Sequence, residues 1–161
     1  MLPSGIVCAA TPSAVATDEI TASVVRVVSG DTLVVPQRDG ELEIRLADIG
    51  APQGSEYYAP AARQLLSNMI LNKTVRVVVT GRSGPGRIFG RVYAGKLDVN
   101  MALVQRAAAW MCLEYATQTD YLPYQNDAIR FRRGLWHQTT TFDALIRCRE
   151  RPPAEHPVSK P

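Results

Sequence analysis

The stretch GDTLVVPQRDGELEIRLADIGAPQ, residues 30–53, decides how the chain is read. Gly30-Asp31-Thr32 is an acidic turn, and Leu33-Val34-Val35 continues it as a strand, because Gly and Asp favour turns while β-branched residues favour the pleat. Asp39-Gly40 signals a hairpin, after which Leu42, Ile44 and Leu46 alternate with Glu41, Glu43 and Arg45. A period of two sets the apolar residues on one face and Arg45 on the other. The strand breaks at Gly50-Ala51-Pro52. Asp31 and Arg45 therefore approach one another on neighbouring strands. A carboxylate can hold a hard cation, and the planar guanidinium can donate two parallel hydrogen bonds to phosphate, so the pair predicts phosphodiester binding or chemistry.

Outward from this stretch, residues 24–28 form a valine-rich strand that ends at Ser29-Gly30. Downstream, Pro60 suits the first turn of a helix whose apolar stripe is Leu65, Leu66, Met69 and Ile70. Residues 74–80 and 88–94 read as two more strands around a glycine-rich loop. Five strands with a helix after the third predict an α+β domain built on the small, partly open Greek-key barrel called the OB-fold. Asn100 is the expected N-cap of a helix reaching Trp110, and Pro123 opens another that reaches Arg133 and stops at Gly134. Residues 142–146 suggest a short helix, and the proline-rich residues 147–161 a tail.

The ordered set Gly30-Asp31-Thr32, IRLADIGAPQ at residues 44–53, a helix, Phe89-Gly90-Arg91, DVNMALV at residues 98–104 and RRGLW at residues 132–136 resembles the thermonuclease family, whose type member is staphylococcal nuclease. The likeness runs from about Val24 to Trp136 and implies the same OB-fold with about three helices. It also implies water attacking a nucleic-acid phosphodiester with the help of bound calcium. In that chemistry two aspartates hold the metal, a glutamate serves as general base, and two arginines grip the phosphate. Residue by residue, the first aspartate falls on Asp31, the arginines on Arg45 and Arg91, the second aspartate on Gly50 and the glutamate on Gln53.

Those last two changes alter the chemistry. Calcium takes six to eight oxygen ligands, and Gly50 supplies no side chain. Asp48, two residues earlier, is the substitute ligand if the backbone shifts. Gln53 can orient a water but cannot accept its proton, and losing a general base costs about 100- to 10,000-fold in rate. The expectation is a phosphodiester-directed protein whose nuclease activity is weak or lost. The alternative is a non-catalytic OB-fold module that binds nucleic acid or protein, including a structural role in the cell envelope. Each site residue also has a plainer reading. Asp31 can simply stabilise its turn, Arg45 can pair with Glu43 or Glu41, and Arg91 can pair with Asp98 or Glu114. Further nucleic-acid contacts are expected from Arg82 and Arg87 at the glycine-rich loop, and from Tyr93 and Tyr115 as stacking surfaces. Arg130, Arg132 and Arg133 read as a solvated helix face, and Trp110 and Trp136 as core.

The 161 residues, 46% hydrophobic and 20% charged, suffice for one globular domain with a real core, and no apolar run reaches the length of a membrane span. A formal charge of +3 permits nucleic-acid binding without requiring it. The division expected is a signal peptide or disordered arm at residues 1–20, the nuclease-like domain at 21–138 and a partly disordered extension at 139–161. Ala14-Val15-Ala16 resembles a signal-peptidase site, although no basic region precedes it. Export would make the protein periplasmic or secreted; otherwise it is cytoplasmic. With Cys8 in the arm, Cys112 and Cys148 remain. In an oxidising compartment they can tie the extension to the body, and in a reducing one they are free thiols. Single-stranded DNA or RNA is the partner implied, met by a monomer.

Overall fold

A computed structural model describes residues 18–149. Its order is β1 (Glu19–Ser23), β2 (Arg26–Ser29), β3 (Thr32–Gln37), β4 (Gly40–Leu46), β5 (Ile49–Gly50), α1 (Ala59–Ile70), β6 (Thr74–Arg82), β7 (Arg87–Ala94), β8 (Leu97–Asp98), α2 (Val99–Gln105), β9 (Trp110–Met111), α3 (Leu122–Arg130), a 3-10 turn (Gly134–His137) and α4 (Thr141–Arg149). The main sheet runs β1-β6-β7-β4-β3-β2, with β8 on β7, and β5 pairs with β9 apart from it.

The first strand expected at residues 24–28 starts later, as β2 from Arg26, and an unanticipated strand, β1, precedes it. The chain bends at Val24-Val25, so β1 pairs antiparallel with β6 while β2 pairs antiparallel with β3. Backbone hydrogen bonds from Val24 to Lys73 and from Val25 to Val34 hold the bend on both sides. One continuous segment thus joins both ends of the sheet and closes it into the OB barrel. β4 and β7 pair in parallel, which is possible because α1 and β6 form the connection between them. The strand count exceeds five because β1 precedes the bend, and because the two-residue strands β5, β8 and β9 add short pairings.

Apolar alternation fills the barrel. Leu33, Val35, Leu42, Ile44, Leu46, Val75, Val77, Ile88 and Val92 are buried, with Leu66 and Ile70 of α1 closing one end. A second cluster joins Trp110, Ala128, Leu135, Trp136, Ala144 and the Cys112–Cys148 disulfide, whose Cα atoms are 5.3 Å apart. The thiols left open by the sequence are therefore bonded, and α4 of the extension is fastened to the body.

Three helix limits differ from expectation: both ends of α2, and the end of α3, which stops at Arg130 rather than Arg133. α2 begins at Val99, because the Asp98 side chain caps it by accepting from the Met101 backbone N–H at 3.0 Å. Asn100 instead lies buried, accepting from the Val92 N–H and donating to the Ala47 carbonyl, both at 3.0 Å, which links β7 to the β4–β5 connection. α2 ends at Gln105, Ala107 takes a left-handed φ of 55°, and Trp110 becomes a strand residue opposite Gly50. Residues 1–17 and 150–161, with most of the expected arm at 1–20 and of the tail, lie outside the described residues, while Glu19 and Ile20 of that arm belong to β1, paired with β6.

Candidate phosphodiester site

Asp31 sits fully buried just before β3. Its Oδ1 accepts from Ser29 Oγ at 2.8 Å and Thr32 Oγ1 at 2.9 Å, its Oδ2 accepts from the Ala51 N–H at 2.9 Å, and Gln53 Nε2 lies 3.5 Å from Oδ1. The turn preceding β3 and the break after β5 thus meet at this carboxylate. The backbone carbonyl of Asp31 accepts from Leu46 N–H, which sets Arg45 beside it, opposite Thr32 on β3 and Phe89 on β7. The Gln53 amide thus reaches the Asp31 carboxylate, and Arg45 follows on the adjoining strand, opposite Thr32.

Asp48 goes elsewhere. The residue has a left-handed φ of 65°, and its carboxylate accepts from the Thr117 N–H at 3.0 Å and from Thr117 Oγ1 at 2.9 Å. The carboxylate expected to stand in for a metal ligand at residue 50 is thus hydrogen-bonded to Thr117. Its carboxylate ties the 112–117 loop to the strand end instead of turning towards Asp31.

Gly50 is enclosed. A Cβ placed there meets Trp110 Nε1 at 2.7 Å and Cε2 at 3.0 Å. The indole, 2% exposed, donates to Cys148 Sγ at 3.2 Å, so the ring is held from behind by the disulfide. An aspartate side chain at residue 50 would have to occupy the volume that this ring fills. Among the described residues no three His, Cys, Asp or Glu side chains converge as a metal site. The donors present do not fit a calcium ion: the buried Asp31 carboxylate already accepts several hydrogen bonds, that of Asp48 is bonded to Thr117, and residue 50 is a glycine packed against the Trp110 indole.

The arginines of β7 divide. Arg87 and Arg91 are two periods apart and share the outward face of the strand with Phe89. The guanidinium of Arg91 is only 15% exposed and pairs with Asp98 Oδ2 at 2.9 Å. It also donates to the Tyr121 hydroxyl, which in turn donates to Asp98 Oδ2 at 3.0 Å. Burial pulls the Arg91 pKa down, but Tyr121 and Asp98 more than offset it and leave the guanidinium firmly charged. Burial and then Asp98 push the Tyr121 phenol well above its ordinary range. Arg91 thus has the ion pair with Asp98 that was its plainer reading, and it joins β7, β8 and α3. Arg87 is 46% exposed, sits in register with Glu43 and donates to it at 2.7 Å. Its neighbour on β4, two residues beyond Glu43, is Arg45. Arg82 pairs with Asp18 at the far end of its hairpin, Tyr93 is covered by the Arg76 guanidinium at 4.4 Å, and the Tyr115 hydroxyl donates to the Cys148 carbonyl. These three serve contacts within the fold.

Sequence reasoning missed Glu56. Its Oε2 accepts from the Gln53 N–H at 2.9 Å, and its Oε1 pairs with Arg147 of α4 at 2.5 Å. Between them opens a cavity of about 450 Å³, lined also by Pro52, Tyr57, Trp110 and Asp143. An acidic residue three positions after Gln53 was the only signal, and nothing in the sequence aims it.

Residues 43–138 match the family described as staphylococcal nuclease homologues. An endonuclease of Escherichia coli, named as uncharacterised, is 36% identical over 119 residues, covering 73% of this chain and 78% of its own. A similarly named endonuclease of Haemophilus influenzae is 30% identical over 125 residues, covering 77% and 70%. A micrococcal nuclease of Shigella flexneri is 34% identical over 124 residues, covering 70% and 71%.

Proposed function

This chain belongs to the family of staphylococcal nuclease homologues, and from that premise we propose that it binds nucleic-acid phosphodiesters and hydrolyses them weakly or not at all. The observation that carries this reading is the contact between Gly50 and Trp110. It leaves no volume for a carboxylate where the family likeness expects a metal ligand. Gln53 beside Asp31 supports it further, since an amide can orient a water but cannot take its proton. Single-stranded DNA or RNA is the proposed partner.

Arg45 and Arg87 are the proposed phosphate pair. Both belong to the outward face of adjoining parallel strands, and at Arg87, which is half-exposed, an incoming phosphate displaces the Glu43 carboxylate. Arg91 would have to leave a nearly buried pair with Asp98 and Tyr121, and the cost of stranding those charges is larger. The disulfide supports an oxidising compartment, periplasmic or secreted.

The test is digestion and binding of labelled single-stranded DNA and RNA in calcium and in EDTA, using wild type, Arg45→Gln/Arg87→Gln and Arg91→Gln. The expected result is binding that weakens with salt and is lost in the double variant. Arg91→Gln should lower stability more than affinity, and cutting by wild type should not exceed that of the double variant. Calcium-dependent cutting by wild type alone would overturn the loss of hydrolysis, and salt-independent binding would overturn the phosphate reading.

A further inference from the structure

The end of α3 carries Arg130-Phe131-Arg132-Arg133, read from sequence as a solvated helix face. Its geometry is more specific than that. Phe131 is 57% exposed. The Arg130 guanidinium lies 5.5 Å from the ring centroid and that of Arg133 lies 4.9 Å away. Arg26, Arg76, Arg82, Arg87, Arg91 and Arg147 all pair with carboxylates. Arg130, Arg132 and Arg133 make no ion pair among the described residues. Two cations, Arg130 and Arg133, therefore gather on one aromatic ring with no acidic partner among the described residues, and a third, Arg132, lies beside them in sequence.

The backbone beneath them is fixed. The N–H groups of Phe131, Arg132 and Arg133 donate to Asp127, Ile129 and Ala128 at 2.9 to 3.0 Å. Arg132 adopts a left-handed φ of 48°, and its side chain donates to the His137 carbonyl. Gly134, also left-handed, lies so close to Ala107 that a Cβ there would stand 2.3 Å from the Ala107 carbonyl oxygen. The ring and its guanidiniums are thus presented by a turn that has little freedom to lose on binding.

We infer that residues 130–133 form a second nucleic-acid contact, in which an unpaired base stacks on Phe131 while the displaced guanidiniums of Arg130 and Arg133 take backbone phosphates. This rests on the reading that the protein binds single strands. Exposed cation–π contacts are weaker than base–aromatic stacking, so a base can replace a guanidinium on the ring, and the freed cation gains a phosphate. Stacking tolerates any base, so this contact would lengthen the bound segment without selecting its sequence.

The experiment is fluorescence anisotropy with labelled oligothymidylate over a range of salt. It compares wild type, Phe131→Leu, Phe131→Trp, Arg130→Gln/Arg133→Gln and Arg45→Gln/Arg87→Gln, each checked for an unchanged melting temperature. Phe131→Leu should weaken binding about 10-fold and Phe131→Trp should retain it. The Arg130/Arg133 variant should reduce the slope of log affinity against log salt by about 1.4, the share of two phosphates on a single strand. Binding that is lost in the Arg45/Arg87 variant but unchanged in all residue-130-to-133 variants overturns this inference alone. Loss in the Arg130/Arg133 variant with none in Phe131→Leu overturns the stacking. No binding by wild type at any salt overturns this contact together with the function it rests on.

Discussion

Gly50→Ala isolates the packing argument from catalysis. The new Cβ would lie 2.7 Å from Trp110 Nε1 and 3.0 Å from Cε2. Restoring an ordinary contact of 3.4 Å at Nε1 requires the ring to retreat by about 0.7 Å, against an interior packed as densely as a crystal. The ring cannot yield freely, because it is 2% exposed and its Nε1 donates to a sulfur of the disulfide. Overpacking of this kind costs about 2 kcal/mol. Gly50 has no positive φ, so the whole penalty comes from space. In a Trp110→Leu background, itself about 3 kcal/mol less stable, the same change should cost under about 0.5 kcal/mol. The assay is a double-mutant cycle by urea unfolding, with Trp136 as the remaining fluorescent probe. A coupling of about 1.5 kcal/mol is expected. If the two changes add to within about 0.5 kcal/mol, the indole does not fill the space at residue 50, and the case against a carboxylate there collapses.

Three other outcomes follow from the geometry. Tyr121 has a folded-state pKa raised above its ordinary value of about 10, so the stability it contributes is full below that pH and declines as pH rises above it. An alkaline titration of phenolate absorbance should show one tyrosine that stays protonated until unfolding, and Tyr121→Phe should remove that delayed step. Cys112 and Cys148 are 0% and 1% exposed, so dithiothreitol should leave their bond intact until denaturant is added, by thiol labelling; Cys148→Ser should lower stability by about 3 to 4 kcal/mol for a loop of this length. Asp48→Ala loses the Thr117 hydrogen bonds and keeps a left-handed φ, so it should destabilise by about 1 to 2 kcal/mol in urea. Asp48→Gly relieves the backbone and should cost less than the alanine; the reverse order would remove strain from the account.

Much of the barrel was legible because its evidence is local. The alternation of Leu42, Ile44 and Leu46 shows directly which face is buried, and Pro60 with the stripe from Leu65 to Ile70 marks α1. The bend at Val24-Val25, at the start of the strand expected over residues 24–28, was not legible, since both are good strand residues and only the distant partners β6 and β3 decide where the chain turns. Trp110 was expected in a helix because Ala-rich sequence favours one, but pairing with Gly50 overrides that propensity. At the site, Asp31 and Arg45 could be placed from turn chemistry and period. The guanidinium of β7 could not, because Gly86-Arg87 and Gly90-Arg91 repeat the same dipeptide on the same face. Only the partners, Glu43 for one and Asp98 with Tyr121 for the other, tell them apart.

The bend at Val24-Val25 also bears on how the barrel is assembled. The β2–β3–β4 meander is local and can form early, whereas Glu19 must find Val78 across most of the domain. Non-local closure of this sort is slow, so until β1 docks, the edge of β6 with Val75, Val77 and Val79 stays open to any other strand. The first five strand residues thus act as a built-in guard against aggregation, and a shortened chain beginning at residue 24 should clump during refolding even where its core can still form.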